Sequence, residues 1–191
     1  MSHENVLRVV AILSSTREGR FGPIIAEWFL EECVRIGGLQ VELVDLAEAR
    51  LPETLGREPD SAVAKFHDAI SKADAFVIIT PEYNHSFPAP LKTALDWSSK
   101  GWAAKPVGFV SYGGNSGGLR AVEHLRQVFI ELHAAPIRDS VCFNMVWEHF
   151  NQQRQCRQPE RHRKALTNMM NQLRWWARHL RIARAAEPYL V

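Results

Sequence analysis

The sequence predicts an α/β fold in three layers: a five-stranded parallel sheet of order 2-1-3-4-5 with helices on both faces. Three observations carry this. Five apolar stretches of strand length recur along the chain. Segments with apolar residues at three-and-four spacing separate them. Glycine or proline stands at most of the junctions. Strict alternation of strand and helix implies right-handed crossovers, and so parallel strands covered on both faces.

Taken in order, Val6 to Leu13 is the first strand. Phe21 to Ile36 is a helix, with Ile24, Ile25, Trp28, Phe29 and Cys33 on one stripe, ended by Gly37-Gly38. Leu39 to Asp45 alternates apolar and polar residues, as a strand near an edge does. Leu51 to Pro59 is a proline-containing loop, and Ser61 to Lys72 a helix with Val63, Phe66 and Ile70 inward. The β-branched run Ala75 to Thr80 is a buried third strand. It runs into a polar loop with three prolines and then a helix, Leu91 to Trp97. Pro106 to Tyr112 is the fourth strand, Gly118 to Ala134 a helix, and Ile137 to Phe143 the fifth strand. Pro159 to Ala183 is a last helix, whose stripe Leu166, Met169, Leu173, Trp176 and Leu180 forms a seam against the sheet. Trp175, on the outer side of that stripe, is placed to touch another subunit.

A chain of 191 residues is expected to form one domain, 1–191, with a full core. A net charge of +2 is too small to argue for nucleic acid. No apolar run is long enough to span a membrane, and the first residues lack the pattern of a secretory signal. Three scattered cysteines, without C-x-x-C or H-E-x-x-H, point to reduced thiols in a cytoplasmic protein and to no metal site.

Five strands in this order match the flavodoxin-like arrangement, whose ligand crevice lies at the switch between the first and third strands. The loops after strands one, three and four open on that edge, and each is unusual. Ser14 to Gly22 places hydroxyls, Arg17, Arg20 and glycines at a helix N-terminus. Free N–H groups and the helix dipole favour an anion there, and arginines add charge-assisted bonds to phosphate, although capping by Ser and Thr would explain part of the pattern. The loop is neither a P-loop nor G-x-G-x-x-G. Pro81-Glu82-Tyr83-Asn84-His85-Ser86 is stiffened by proline and offers an aromatic, an amide and a carboxylate, suited to a flat, polar-edged ligand, where a plain turn needs none of these. Ser111-Tyr112-Gly113-Gly114-Asn115-Ser116-Gly117-Gly118 allows close backbone approach, or is simply a flexible turn.

These three segments, S-S-T-R-E-G-R-F-G, P-E-Y-N-H-S-F-P-A-P-L-K-T-A-L-D-W and S-Y-G-G-N-S-G-G-L-R-A-V-E-H-L-R, resemble the NADPH-dependent FMN reductase family over about residues 6 to 143. The resemblance implies non-covalent FMN, an NADPH or NADH donor, and a homodimer or homotetramer with the flavin near a subunit interface. Carried over by position, Ser15, Arg17 and Arg20, with the Phe21 and Gly22 backbone, would hold the phosphate. Pro81, Glu82, Tyr83 and Asn84 would line the isoalloxazine, and Ser111, Gly113 and Gly114 would approach its other edge. Where the family usually has glycine before the first-loop serine, this chain has Ser14, which would crowd the phosphate loop or lend it a hydroxyl. Lys92 and Asp96 read as packing or interface residues.

The implied activity is FMN-dependent NAD(P)H oxidation, two electrons passing to flavin or another small acceptor such as a quinone, azo or nitro compound. The cofactor carries the chemistry, and no side-chain acid or base is expected to be essential. Two alternatives stand: a flavodoxin-type electron carrier, disfavoured by the absence of an acidic balance, and a non-catalytic FMN-binding protein. Arg154, Arg157, Arg161, Arg163 and Lys164 read first as a solvated tract and second as a site for the NADPH 2′-phosphate.

Overall fold

A computed structural model describes residues 6–56, 60–98 and 100–190; part of the expected loop, at 57–59, lies outside them. Five parallel strands form one sheet of order β2-β1-β3-β4-β5: β1 Leu7–Leu13, β2 Leu39–Asp45, β3 Ala75–Pro81, β4 Pro106–Tyr112 and β5 Ala135–Phe143. The predicted order and the edge position of β2 are as observed. The helices are α1 Gly22–Ile36, α2 Leu46–Ala49, α3 Ser61–Lys72, α4 Ala89–Trp97, α5 Leu119–Glu131 and α6 Pro159–Ala186.

The central strands are uniformly buried because both faces are covered. On one face α1 and α6 close a core of Leu13, Phe29, Val77, Phe143 and Met169. On the other, α3, α4 and α5 close a core around Ile78, Phe109, Phe129 and a fully buried Trp102. The register brings Leu13 beside Ile79 and Pro81 beside Tyr112. The loops after β1, β3 and β4 therefore leave the sheet side by side.

Three features differ from the sequence reading. The four-residue α2 follows β2 directly, nucleated by Asp45, whose carboxylate accepts from the Ala47 N–H. β5 begins at Ala135, two residues early, because the Ala135 N–H bonds to the Lys105 carbonyl and an edge strand tolerates Pro136. The seam of α6 is Leu166, Met169, Met170, Leu173 and Ala177, while Trp176 is exposed. With 28 residues α6 is about 42 Å long, whereas a seven-residue strand covers about 23 Å, and its last turns are tied to the amino edge of the sheet, where Arg181 and Arg184 meet Asp74. Trp175 and Trp176 lie on the outer side of α6, in contact with each other and open to solvent.

Candidate functional site at the carboxyl edge of the sheet

The loop after β1 is anchored where the Ser14 N–H donates to the Ile79 carbonyl. It ends at α1, whose first turn has no side-chain cap and no acidic residue. Pro23 has no N–H and that of Ile24 donates to the Phe21 carbonyl at 3.1 Å, which leaves the Gly22 N–H of this turn open to an anion. Gly22 lets this helix start close to the sheet: a Cβ there would lie 2.7 Å from Leu13 Cδ1 and from the Tyr112 hydroxyl.

The structure separates the two arginines of the loop. Arg17 is exposed. Arg20 lies on Asp45 at the end of β2, with both guanidinium nitrogens at 2.5 Å from the carboxylate, and also donates to the Ser15 carbonyl. Donating to the Asp45 carboxylate holds the Arg20 proton more tightly than usual, outweighing the cost of burial. Sequence reasoning missed Asp45, which it read only as the last residue of the second strand.

The loop after β3 makes a two-residue turn. Tyr83 and Ser86 exchange backbone hydrogen bonds, and Asn84 and His85 both take left-handed backbone, with φ of 49° and 73°. This is the tight hairpin type that glycine normally serves. Asn84 and His85 are presented to solvent, and His85 lies 5.8 Å, centroid to centroid, from the His124 ring. Tyr83 reaches back to the first loop, its hydroxyl 2.6 Å from Ser15 Oγ. Burial, and then the neighbouring Tyr83, push the Tyr112 phenol upward, so this group beneath them stays neutral.

Glu82 turns toward the loop after β4. Its carboxylate accepts from Ser116 Oγ at 2.7 Å, from the Arg120 N–H at 3.2 Å and from the Arg120 guanidinium at 3.1 Å. Burial opposes its charge, but the bonds from Ser116 and Arg120 prevail and hold its pKa below the ordinary range. Glu82 thus clasps two loops together, a role for which Ser116 and Arg120 gave no local sequence signal. Pro81 and Ser111 are buried at the paired strand ends, and Gly113 and Gly114 are half-buried.

The twelve expected site residues thus lie on one edge, in three adjoining loops and at the ends of β3, β4 and α1 that flank them. The edge fits a phosphorylated flavin on two counts. One is the uncapped helix with the unpaired Arg17 nearby. The other is the hydroxyl of Ser14, fully buried without a hydrogen-bond partner. The basic tract fits a phosphate poorly. Arg163 is held by Glu32 and Glu160, and Arg154 sits 4.0 Å from Glu27. The cleft of about 360 Å³ beside them is also lined by Glu31. Lys92 and Asp96 pair with each other on the surface of α4. Among the described residues no cluster of three or more His, Cys, Asp or Glu could hold a metal ion, and no helix is long and apolar enough to cross a membrane.

The profile of the NADPH-dependent FMN reductase family matches residues 7–148. A probable NADPH:quinone oxidoreductase of rice is 41% identical over 138 residues, covering 67% of this chain and 70% of the relative. A quinone reductase of Escherichia coli is 34% identical, covering 67% and 72%. An NAD(P)H-dependent FMN reductase of Pseudomonas aeruginosa is 29% identical over 92% of this chain and 97% of its own. Among solved structures, a flavoenzyme NAD(P)H:(acceptor) oxidoreductase of Paracoccus denitrificans shares the fold, with a TM-score of 0.75 at 19% identity over 91% of this chain and 98% of that one. With 142 consecutive positions matched by the profile, from the start of β1 to the turn after β5, the chain belongs to the NADPH-dependent FMN reductase family.

Proposed function

We propose that this chain, an FMN-dependent NAD(P)H oxidoreductase, holds FMN across the three loops and passes its electrons to a quinone-class acceptor. The observation that carries the reading is the convergence, on one edge, of an uncapped helix N-terminus with two loops clasped by Glu82. The acceptor class follows relatives named as quinone reductases at 34–41% identity.

FMN, when bound, would supply the two-electron redox chemistry between the reduced nicotinamide and the acceptor. The residues of the chain orient and shield. Arg17 and the first turn of α1 meet the phosphate charge. Arg20, held by Asp45, keeps the loop in shape without touching the phosphate. Ser14 turns its unpartnered hydroxyl to the same anion, and Ser15 is ordered for it by Tyr83. Glu82 fixes the spacing of the loops that flank the ring, while Pro81, Tyr83, Asn84, Ser111, Gly113 and Gly114 border it.

The reading extends to a cytoplasmic homodimer or homotetramer. Three free cysteines suit a reducing compartment, and Trp175 and Trp176 offer apolar surface to another subunit. The test is an FMN titration followed by anaerobic NADPH. Tight flavin binding, rapid bleaching and reoxidation by a naphthoquinone are expected. Flavin that binds but stays oxidised would defeat the enzymatic reading.

A further inference from the structure

An NAD(P)H oxidoreductase has to seat the adenosine end of its donor as well as the nicotinamide. The cleft beside Arg154 and Arg163 fits a phosphate poorly, because glutamates hold both arginines. A different cleft lies at the carboxyl edge itself, between the loop after β1, α2 and the first turn of α4. Its volume is about 480 Å³, within the range of small-ligand sites and enough for a nucleoside. Leu46 and Pro90 give it apolar walls, Thr16 and Thr93 give it hydroxyls, and Arg50 and Glu53 give it charge. Thr16 belongs to the loop that carries Ser15 and Arg17, so the cleft adjoins the phosphate end of the flavin site.

The protein itself frames this cleft. Arg20 on Asp45 ties the loop after β1 to the start of α2. Trp97 Nε1 donates to the Pro52 carbonyl at 2.9 Å, which ties the segment carrying Arg50 and Glu53 to the end of α4. Arg50 ends α2 in left-handed backbone, with φ of 49°, a conformation that costs a residue with a Cβ some strain. Its side chain is exposed and has no hydrogen-bond or ion-pair partner among the described residues. Arg50 also borders a cleft along β2, but Glu42, Asp45 and Glu48 line that one and repel an anion. An unpaired guanidinium in a cleft of apolar walls and hydroxyls matches a nucleoside that carries a phosphate monoester.

We propose that this cleft seats the adenosine end of the electron donor and that Arg50 recognises its 2′-phosphate, making Arg50 the residue that selects NADPH over NADH. The proposal rests on the reading that the adjoining loops bind FMN, since the nicotinamide has to reach the flavin from the same edge. Glu53 works against the phosphate, because a carboxylate in a dinucleotide site favours the unphosphorylated ribose.

Arg50→Gln, Glu53→Gln and Ala89→Phe test this in two assays. In calorimetry on the flavin-free protein, adenosine 2′-phosphate is expected to bind the wild type and to bind Arg50→Gln about 10- to 100-fold more weakly. Ala89 lines the cleft from an exposed position, so Ala89→Phe fills it without disturbing the core and should weaken the same binding. In steady-state flavin reduction, the ratio of kcat/KM for NADPH to that for NADH should fall about 10- to 100-fold in Arg50→Gln and rise about two- to fivefold in Glu53→Gln. Wild-type protein that prefers NADH would overturn the proposal, as would an Arg50→Gln protein in which either the ratio or the nucleotide affinity is unchanged. Weaker FMN binding in Arg50→Gln with the nucleotide affinity intact would assign Arg50 to the flavin and overturn it too. Wild-type protein that binds adenosine 2′-phosphate but no FMN would defeat the flavin reading, and the selective role of Arg50 with it, while the cleft itself would still be a nucleotide site.

Discussion

Replacing Arg20 by methionine should destabilise the apoprotein, and replacing Arg17 by methionine should not. Arg20 makes two 2.5 Å contacts with Asp45 and a third bond to the Ser15 carbonyl, with the two side chains only 15% and 12% exposed. Removing the cation leaves Asp45 largely buried with one remaining partner, the Ala47 N–H. Loss of one member of a fully buried pair costs about 3–5 kcal/mol. The pair is at the edge of the sheet with some water access, so about 1–3 kcal/mol is expected here. Arg17 is exposed, and its loss should change stability by less than about 0.5 kcal/mol. FMN affinity should respond in the opposite sense: Arg17→Met loses a charge-assisted bond to phosphate, about 1.5–3 kcal/mol or 10- to 100-fold. Urea unfolding of the apoproteins gives the first quantity and quenching of flavin fluorescence the second. The double substitution Arg20→Met with Asp45→Leu should recover most of the stability, since it removes the stranded carboxylate. If Arg20→Met left apoprotein stability unchanged and weakened FMN as strongly as Arg17→Met, the Asp45 pair would have to open for the phosphate and this division of labour would be wrong.

Gly117→Ala should cost roughly 2–4 kcal/mol in the apoprotein, because its Cβ would lie 2.4 Å from Cys142 Sγ and 2.8 Å from the Asn144 nitrogen at a φ of +60°; thermal melts check this. Ser14→Ala should stabilise the apoprotein by about 1 kcal/mol through removal of a buried unpaired hydroxyl, and weaken FMN; parallel melts with and without FMN would show a narrowed ligand-induced shift. His162 is buried against Phe143, their rings 4.1 Å apart, and burial, then His149 and Arg161, lower its pKa to about 4. The unfolded chain binds the extra proton between about pH 6.5 and 4, so stability falls as pH drops through that window, by on the order of 3 kcal/mol. His162→Leu should flatten that part of the stability profile, and an unchanged slope would exclude His162 as its source.

The sheet was legible because its signals are local and redundant. Uninterrupted apolar runs at 75–80 and 106–112 imply strands covered on both faces, which requires helices on both sides and hence crossovers. What escaped the sequence depends on distance in the chain. Trp176 and Ala177 are neighbours on α6, and periodicity alone put the seam on the larger residue. Which of the two is buried is set by the rotation of α6 about its axis against the sheet, which contacts from distant parts of the chain decide.

The site divides along the same line. A helix N-terminus rich in hydroxyls and arginines announces an anion because each part is adjacent in sequence. Whether a given arginine is free for that anion is a tertiary fact: Arg20 is committed to a carboxylate 25 residues away, and Glu82 to partners 34 and 38 residues away. Glycines show the limit most sharply. Gly113, Gly114, Gly117 and Gly118 form one motif in the sequence. In the fold, Gly117 and Gly118 satisfy the backbone and a crowded thiol, while a Cβ on Gly114 would only touch the Trp147 indole at 3.9 Å. A glycine whose Cβ would collide with the protein says nothing about ligands. One whose Cβ would collide with nothing, as at Gly19 and Gly37, is explained by its left-handed backbone, a fact equally invisible in the sequence.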